Sequence, residues 1–359
     1  MIRYAAGLPL HVSPVDPAPA LSVLDLVPVR SDQTTGDALA ATRSLARVAD
    51  DLGYRRYWLA EHHNMPAVAA TNPPLLIAMV AGATSRIRVG SGGVMLPNHS
   101  PLVVAEQFAL LEAAHPDRID LGIGRAPGTD PLTRYALRQG AGGTDPVAEF
   151  PQYVDDVITL MGEHGAAMSV GGRTHPLRAT PHAASVPPVW LLGSSDYSAR
   201  LAAERGLPYV FAHHFAGRGT AEALELYRSS YQPSERFPEP RTFLTVNACV
   251  AGTSDEADRL ALPQLLQMLA ITTGAPLTPQ RLVEEAEAVE LDEGQQRIVE
   301  GMRRRWVIGD AESSRKRVAE LAAEFGVDEV MVHPVGSALA GTPADSSPAR
   351  ETTLRLLAP

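Results

Sequence analysis

From Leu21 onward the chain alternates short runs of β-branched and large apolar residues with longer segments whose apolar positions recur every three to four residues. Runs of the first kind read as strands and segments of the second as amphipathic helices; their alternation is the pattern of parallel strands joined by helical crossovers. Eight runs qualify, at 21–29, 55–60, 87–95, 118–124, 188–193, 208–212, 242–251 and 328–334. Between them the spacing predicts helices over 37–52, 73–84, 101–115, 196–205 and 313–325. In the first of these Leu39, Leu45, Val48, Ala49 and Leu52 share one face, Asp37, Arg43 and Arg47 lie mainly elsewhere, and Gly53 ends the helix. Ser313 and Ser314 are candidate caps for the last, which stops at Gly326.

Eight βα units favour an α/β fold of the closed (β/α)8 TIM-barrel type over an open sheet. A single barrel domain over 21–359 is expected, preceded by an irregular extension, since residues 1–20 carry four prolines and no steady periodicity. Two intervals, 126–187 and 272–306, break the spacing. Insertions in barrels usually decorate the C-terminal face of the strands, where active sites form. The second interval opens with threonine and proline (Thr272 to Pro279) and has a charged middle (Glu284 to Glu293), a composition that predicts a mobile lid.

Composition narrows the function classes. The 31 basic and 41 acidic residues leave a net charge near −10, which argues against nucleic acid or an anionic membrane as partner. A small soluble ligand is expected. Cys249 is the single cysteine, so neither an intrachain disulfide nor a thiolate metal cluster can form. The longest apolar stretch, Leu75 to Ala83, is too short to span a bilayer, and the N-terminus lacks the order of a signal peptide, so the cytoplasm is the expected compartment.

Chemistry-bearing residues gather where strands should end. After the second run, WLAEHHN places Glu61, His62 and His63 on the catalytic rim, although adjacent histidines can also be polar residues of a turn. A metal held by both is disfavoured, because neighbouring strand residues point in opposite directions. The third run carries Gly90, Gly92 and Gly93 where β-branched residues would make a better strand, so something approaches that backbone closely: a flat ring, a bulge that closes the barrel, or both. The fourth run ends with Gly124, Arg125 and, further on, Gly128, a setting for an anion. The fifth runs straight into a helix whose start offers Ser194, Ser195 and Ser198. Free N–H groups, the helix dipole and hydroxyls favour a phosphate there, with Arg125 to neutralise it, while ordinary N-capping by Ser194 or Ser195 is the alternative. Ring platform, imidazole and phosphate site together describe a mononucleotide, and FMN is the natural candidate.

LSVLDL, WLAEHHN, VGSGGVMLPNHSP and DLGIGRAPGTD, in that order, resemble the bacterial luciferase-like monooxygenases from Leu21 to about Val335. By that resemblance His62 matches the active-site histidine, Arg125 the phosphate-binding arginine, and Ser195 and Ser198 phosphate-binding hydroxyls; Gly92 and Gly93 match a pair joined by a non-proline cis peptide under the flavin ring. Glu61, His63, Gly124 and Ser194 are expected as further cofactor contacts. Gly124 stands where luciferase has a reactive cysteine, so light emission is not implied. No G-x-G-x-x-G of the Rossmann kind is present, and reduced FMN must come from a separate flavin reductase. The expected function is a two-component monooxygenase in which reduced FMN and O2 oxygenate a small organic substrate, with no metal, in a homodimer. Relatives that use the deazaflavin F420 for hydride transfer supply the alternative reading, and a flavin-binding protein without turnover a third.

Overall fold

The computed structural model describes residues 18–126, 131–137 and 145–358. All eight predicted runs are strands of one barrel: β1 (Ala20–Asp25), β2 (Arg56–Leu59), β3 (Arg88–Ser91), β4 (Ile119–Gly124), β5 (Val189–Gly193), β6 (Tyr209–Phe211), β7 (Thr242–Val250) and β8 (Glu329–Pro334). Each pairs in parallel with the next. The ring closes where β8 pairs with β1, Glu329 opposite Ala20. Within the third run β3 stops at Ser91, and Val94–Met95 pairs again with β4 beyond the Gly92–Gly93 peptide bond, which is cis.

The five predicted helices form as Thr35–Asp51, Pro73–Ala81, Pro101–Ala114, Asp196–Glu204 and Ala311–Phe325. In the first, a Thr34–Asp37 capping box satisfies the first-turn donors, and Leu45, Val48 and Ala49 are buried as their spacing predicts. The last begins two residues earlier than expected. Its cap is Asp310, whose carboxylate accepts the Ser313 N–H at 3.0 Å, so Ser313 and Ser314 lie inside the first turn and do not start the helix. Aspartate is as good an N-cap as serine, and the one further upstream takes the role.

The interval 126–187 contains helices Pro131–Leu137 and Phe150–Met161 and an antiparallel hairpin, Ala166–Val170 with Arg173–Leu177. Gly128 and residues 1–17 of the expected extension lie outside the described residues, and Ala20 already belongs to β1. The interval 272–306 follows helix Ser254–Thr273 and folds into two helices, Val283–Glu287 and Glu293–Arg303. Val283, Ala286, Val299, Met302 and Trp306 are buried in a cluster with Leu265 and Leu269 of the preceding helix.

Inside the barrel, Trp58, Trp190 and Phe243 meet with centroids 5.1–5.7 Å apart, packed with Leu24, Val210 and Met331. Toward the N-terminal ends of the strands Arg56 is held between Asp120 (2.7 Å) and Glu329 (2.9 Å) and lies over the Trp190 ring, with Arg88 on the other Asp120 oxygen. Losing one partner would strand a buried charge, so each member of the network holds the others in place.

Candidate active site

A cavity of about 670 Å³ opens at the C-terminal ends of the strands. Its wall is mainly apolar, including Leu24, Leu26, Met65, Val210, Met268 and Met331, and the polar groups that interrupt it come from strand ends all round the ring. A largely apolar pocket with a few convergent polar groups on this face is the expected form of a barrel's active site.

The WLAEHHN residues diverge. Glu61 is 1% exposed and accepts the Met95 N–H at 2.9 Å through one oxygen; the other receives His63 Nε2 and His99 Nε2, each at 2.7 Å. Burial opposes its ionisation, but the bonds from His63, His99 and Met95 outweigh this and bring its pKa from 4.5 down to about 2. Glu61 is therefore a carboxylate at neutral pH and both imidazoles donate to it. It borders the cavity, whereas His63 is turned to the carboxylate and is not part of the lining. The ligating atoms of Glu61, His63 and His99 lie within 4.8 Å of one another, and at 2.7 Å the contacts between them are hydrogen bonds. His62 does line the cavity. Its backbone N–H is tied to Ala70 O at 2.7 Å, and its Nδ1 is buried with no hydrogen-bond partner among the described residues. Burial pulls its pKa below 6.5 against the opposing charge of Glu61, which leaves a neutral ring.

The close approach expected at the glycines is made largely by the protein itself. A Cβ on Gly90 would lie 2.6 Å from Asp120 O, one on Gly92 2.8 Å from Leu24 Cδ1, and one on Gly93 2.9 Å from Gly122 O. Barrel packing thus accounts for all three, and Gly92 and Gly93 also form part of the cavity wall while Gly90 does not. Gly124 differs: among the described residues the nearest atom to a Cβ there is Val94 O at 3.9 Å, and its bare backbone lines the cavity.

Arg125, Ser194, Ser195 and Ser198 meet on the same wall. Ser195 is the N-cap residue of helix Asp196–Glu204 yet makes no side-chain cap bond, so capping does not consume its hydroxyl. Ser198 is buried one turn in, and a Cβ on Gly193 would come within 2.6 Å of its Oγ; only glycine lets this helix start so close to the end of β5. Arg125 lies flat over the Tyr197 ring, its Cζ 3.9 Å from the centroid. The start of a helix with an uncommitted cap, two further hydroxyls and a stacked guanidinium can hold a phosphate.

Two histidines that sequence reasoning passed over complete the wall. His214 follows β6 and bonds Thr245 Oγ1 through Nδ1 at 2.9 Å; His333 ends β8 and bonds Asn247 Oδ1 through Nδ1 at 2.8 Å. Burial lowers the pKa of His214 to about 4 and that of His333 well below 6.5. The signal that found His62, a histidine just past a strand, is present at His214, whereas His333 lies within the eighth run itself. His99 carries no such signal, since it lies 38 residues from Glu61 and follows a short 3-10 turn.

Comparison with known proteins bears on the family and the fold. The family described as luciferase-like monooxygenase matches residues 20–329. The Bacillus subtilis protein YvbT is 40% identical over 313 residues, covering 87% of this chain and 90% of its own. A luciferase-like monooxygenase of Escherichia coli K12 is 43% identical over 247 residues, covering 67% and 69%. Among solved structures, apo-MsnO8 superposes with a TM-score of 0.81 at 32% identity over 95% of this chain and 97% of its own. The fold alone is shared with the FMN-bound oxygenating constituent of 3,6-diketocamphane monooxygenase from Pseudomonas putida (TM-score 0.67, 16% identity, 95% and 97% covered). It is shared likewise with an F420-dependent secondary alcohol dehydrogenase (TM-score 0.60, 14% identity, 94% and 99% covered). By its matched length, its relatives and its barrel, the chain belongs to the luciferase-like monooxygenase family.

Proposed function

We propose that the protein uses reduced FMN and O2 to oxygenate a small organic substrate, receiving the reduced flavin from a separate reductase and acting as a cytoplasmic homodimer. The observation that carries this reading is one cavity with a phosphate cradle at Arg125, Ser194, Ser195 and Ser198 and a neutral imidazole, His62, two strands away round the rim. The FMN-bound structural neighbour favours FMN, and the F420-dependent one keeps hydride transfer as the competing outcome.

Reduced FMN, when bound, would supply the activation of O2 and the transfer of one oxygen atom. The chain's own residues do the rest. The first-turn N–H groups of helix Asp196–Glu204 and the Arg125 guanidinium bind the phosphate. The bare backbone at Gly124 leaves room for a ring, and Gly92 and Gly93 flank it. Leu24, Leu26, Val210 and Met331 keep the reacting end dry, and His62 gives or takes a proton through its unpartnered Nδ1. The interval 272–306 serves as the cover in this reading: Leu277 and Gln280 border the cavity, while Val283, Ala286, Val299 and Met302 anchor the remainder.

Anaerobic titration with reduced FMN and with reduced F420, followed by admission of air, tests the proposal. Selective binding of reduced FMN, and reoxidation at a rate unlike that of free FMNH2, is the expected result. Binding of F420 alone would transfer the reading to hydride transfer.

A further inference from the structure

The wall formed by β6, β7 and β8 fixes the tautomer of His333, and the assignment follows from hydrogen-bond bookkeeping. Asn247 Nδ2 donates to the backbone carbonyl of His214 at 2.7 Å, a group that can only accept; Asn247 Oδ1 is therefore the atom that faces His333. An amide oxygen can only accept, so His333 Nδ1 carries the proton of that 2.8 Å bond. The Thr245 hydroxyl lies 3.1 Å from Phe211 O and 2.9 Å from His214 Nδ1 and can donate to either, so it does not set the tautomer of His214. A neutral imidazole protonated at Nδ1 has a bare lone pair at Nε2. Both rings line the cavity, their centroids 6.2 Å apart, and no bond from a described residue reaches His333 Nε2.

We infer that His333 is a specificity-determining residue that presents a hydrogen-bond acceptor to the substrate, so the substrate is an uncharged, largely apolar molecule carrying a hydroxyl that donates to this wall. An acceptor-only group there, such as a carboxylate, a ketone or an ether oxygen, would face a lone pair with no proton between. The surrounding Leu24, Met268 and Met331 take the apolar body. This inference rests on the monooxygenase reading for what happens to the substrate, and not for its binding.

The test uses two matched pairs of probes, 2-naphthol with 2-methoxynaphthalene and 1-octanol with 1-methoxyheptane, titrated calorimetrically into the full-length wild-type protein and into His333→Phe. A buried acceptor left facing an ether should give each hydroxyl compound an advantage of about tenfold in the wild type, and His333→Phe should shrink it toward unity while leaving ether binding in place. Equal affinities within each pair, no binding of either hydroxyl compound, or a preference that survives in His333→Phe would each overturn the assignment. Should His333→Phe fail to fold, the ¹⁵N imidazole spectrum of the wild type decides independently, since a proton on Nε2 of His333 contradicts the argument. Reduced-FMN affinity is measured in parallel. Its loss in His333→Phe would show that the acceptor serves the cofactor instead, whereas failure of the wild type to bind reduced FMN would sink the monooxygenase reading and leave the hydroxyl preference standing.

Discussion

His99 Nε2 donates to Glu61 Oε1 at 2.7 Å, and this bond pins the turn after β3 to the end of β2 on either side of the cavity wall. Glu61 has a folded-state pKa below its ordinary value of 4.5, so its contribution to stability is fully present above about pH 4.5 and is lost as pH falls through about 2. A shift of that size corresponds to about 3 kcal/mol for this buried carboxylate. Glu61→Gln should lose about that much stability at pH 7, and the gap to wild type should narrow by about 2 kcal/mol between pH 7 and pH 3. Urea denaturation at the two pH values measures it; a gap independent of pH would mean that Glu61 acts by shape alone.

The phosphate cradle can be tested apart from the ring site. Arg125→Ala and Ser198→Ala each remove a donor from the wall that includes the uncommitted cap at Ser195, and charge-assisted bonds of this kind are worth about 1.5–3 kcal/mol. FMN should bind about 10- to 100-fold more weakly to Arg125→Ala, while riboflavin, which has no phosphate, should bind both proteins alike. An equal loss for the two flavins would place Arg125 against the ring.

His62 lines the cavity as a neutral ring with an unpartnered Nδ1, which suits proton transfer and contributes little to holding a phosphate. Removal of a positioned acid–base group typically costs 10²–10⁴-fold in rate. His62→Ala should therefore bind reduced FMN about as well as wild type and lose at least about 100-fold in product formed per flavin oxidised. Unchanged turnover would leave His62 a wall residue.

Gly93 and Gly124 make opposite predictions from the same substitution. A Cβ at Gly93 meets the backbone of Gly122 at 2.9 Å and cannot be relieved by a side-chain movement, so Gly93→Ala should cost about 1–3 kcal/mol. Gly124→Ala meets nothing nearer than 3.9 Å among the described residues and should melt within a degree or two of wild type while narrowing the cavity. Paired thermal melts with FMN titrations check both, and equal destabilisation would contradict the packing argument.

Periodicity and position made most of the barrel legible. Strand β1 starts within one residue of its predicted place, helix Thr35–Asp51 buries the expected face, and Arg125, Ser195 and His62 reach the rim because each follows a strand by one to three residues. Where two local signals competed, sequence reasoning erred by a few residues: Asp310 took the cap from Ser313, and the third run broke at Gly92.

The chain by itself determined the order of strands and helices, the rim on which polar groups gather and the serine-bearing start of helix Asp196–Glu204, because these depend on residues within a single turn or strand. Only the tertiary structure decided that Glu61 is a carboxylate held by His63 and His99, that His62 is neutral, and that Asn247 and Thr245 orient His333 and His214. Ionisation and tautomer are set by burial and by partners up to 86 residues apart, and no window of sequence contains those partners together.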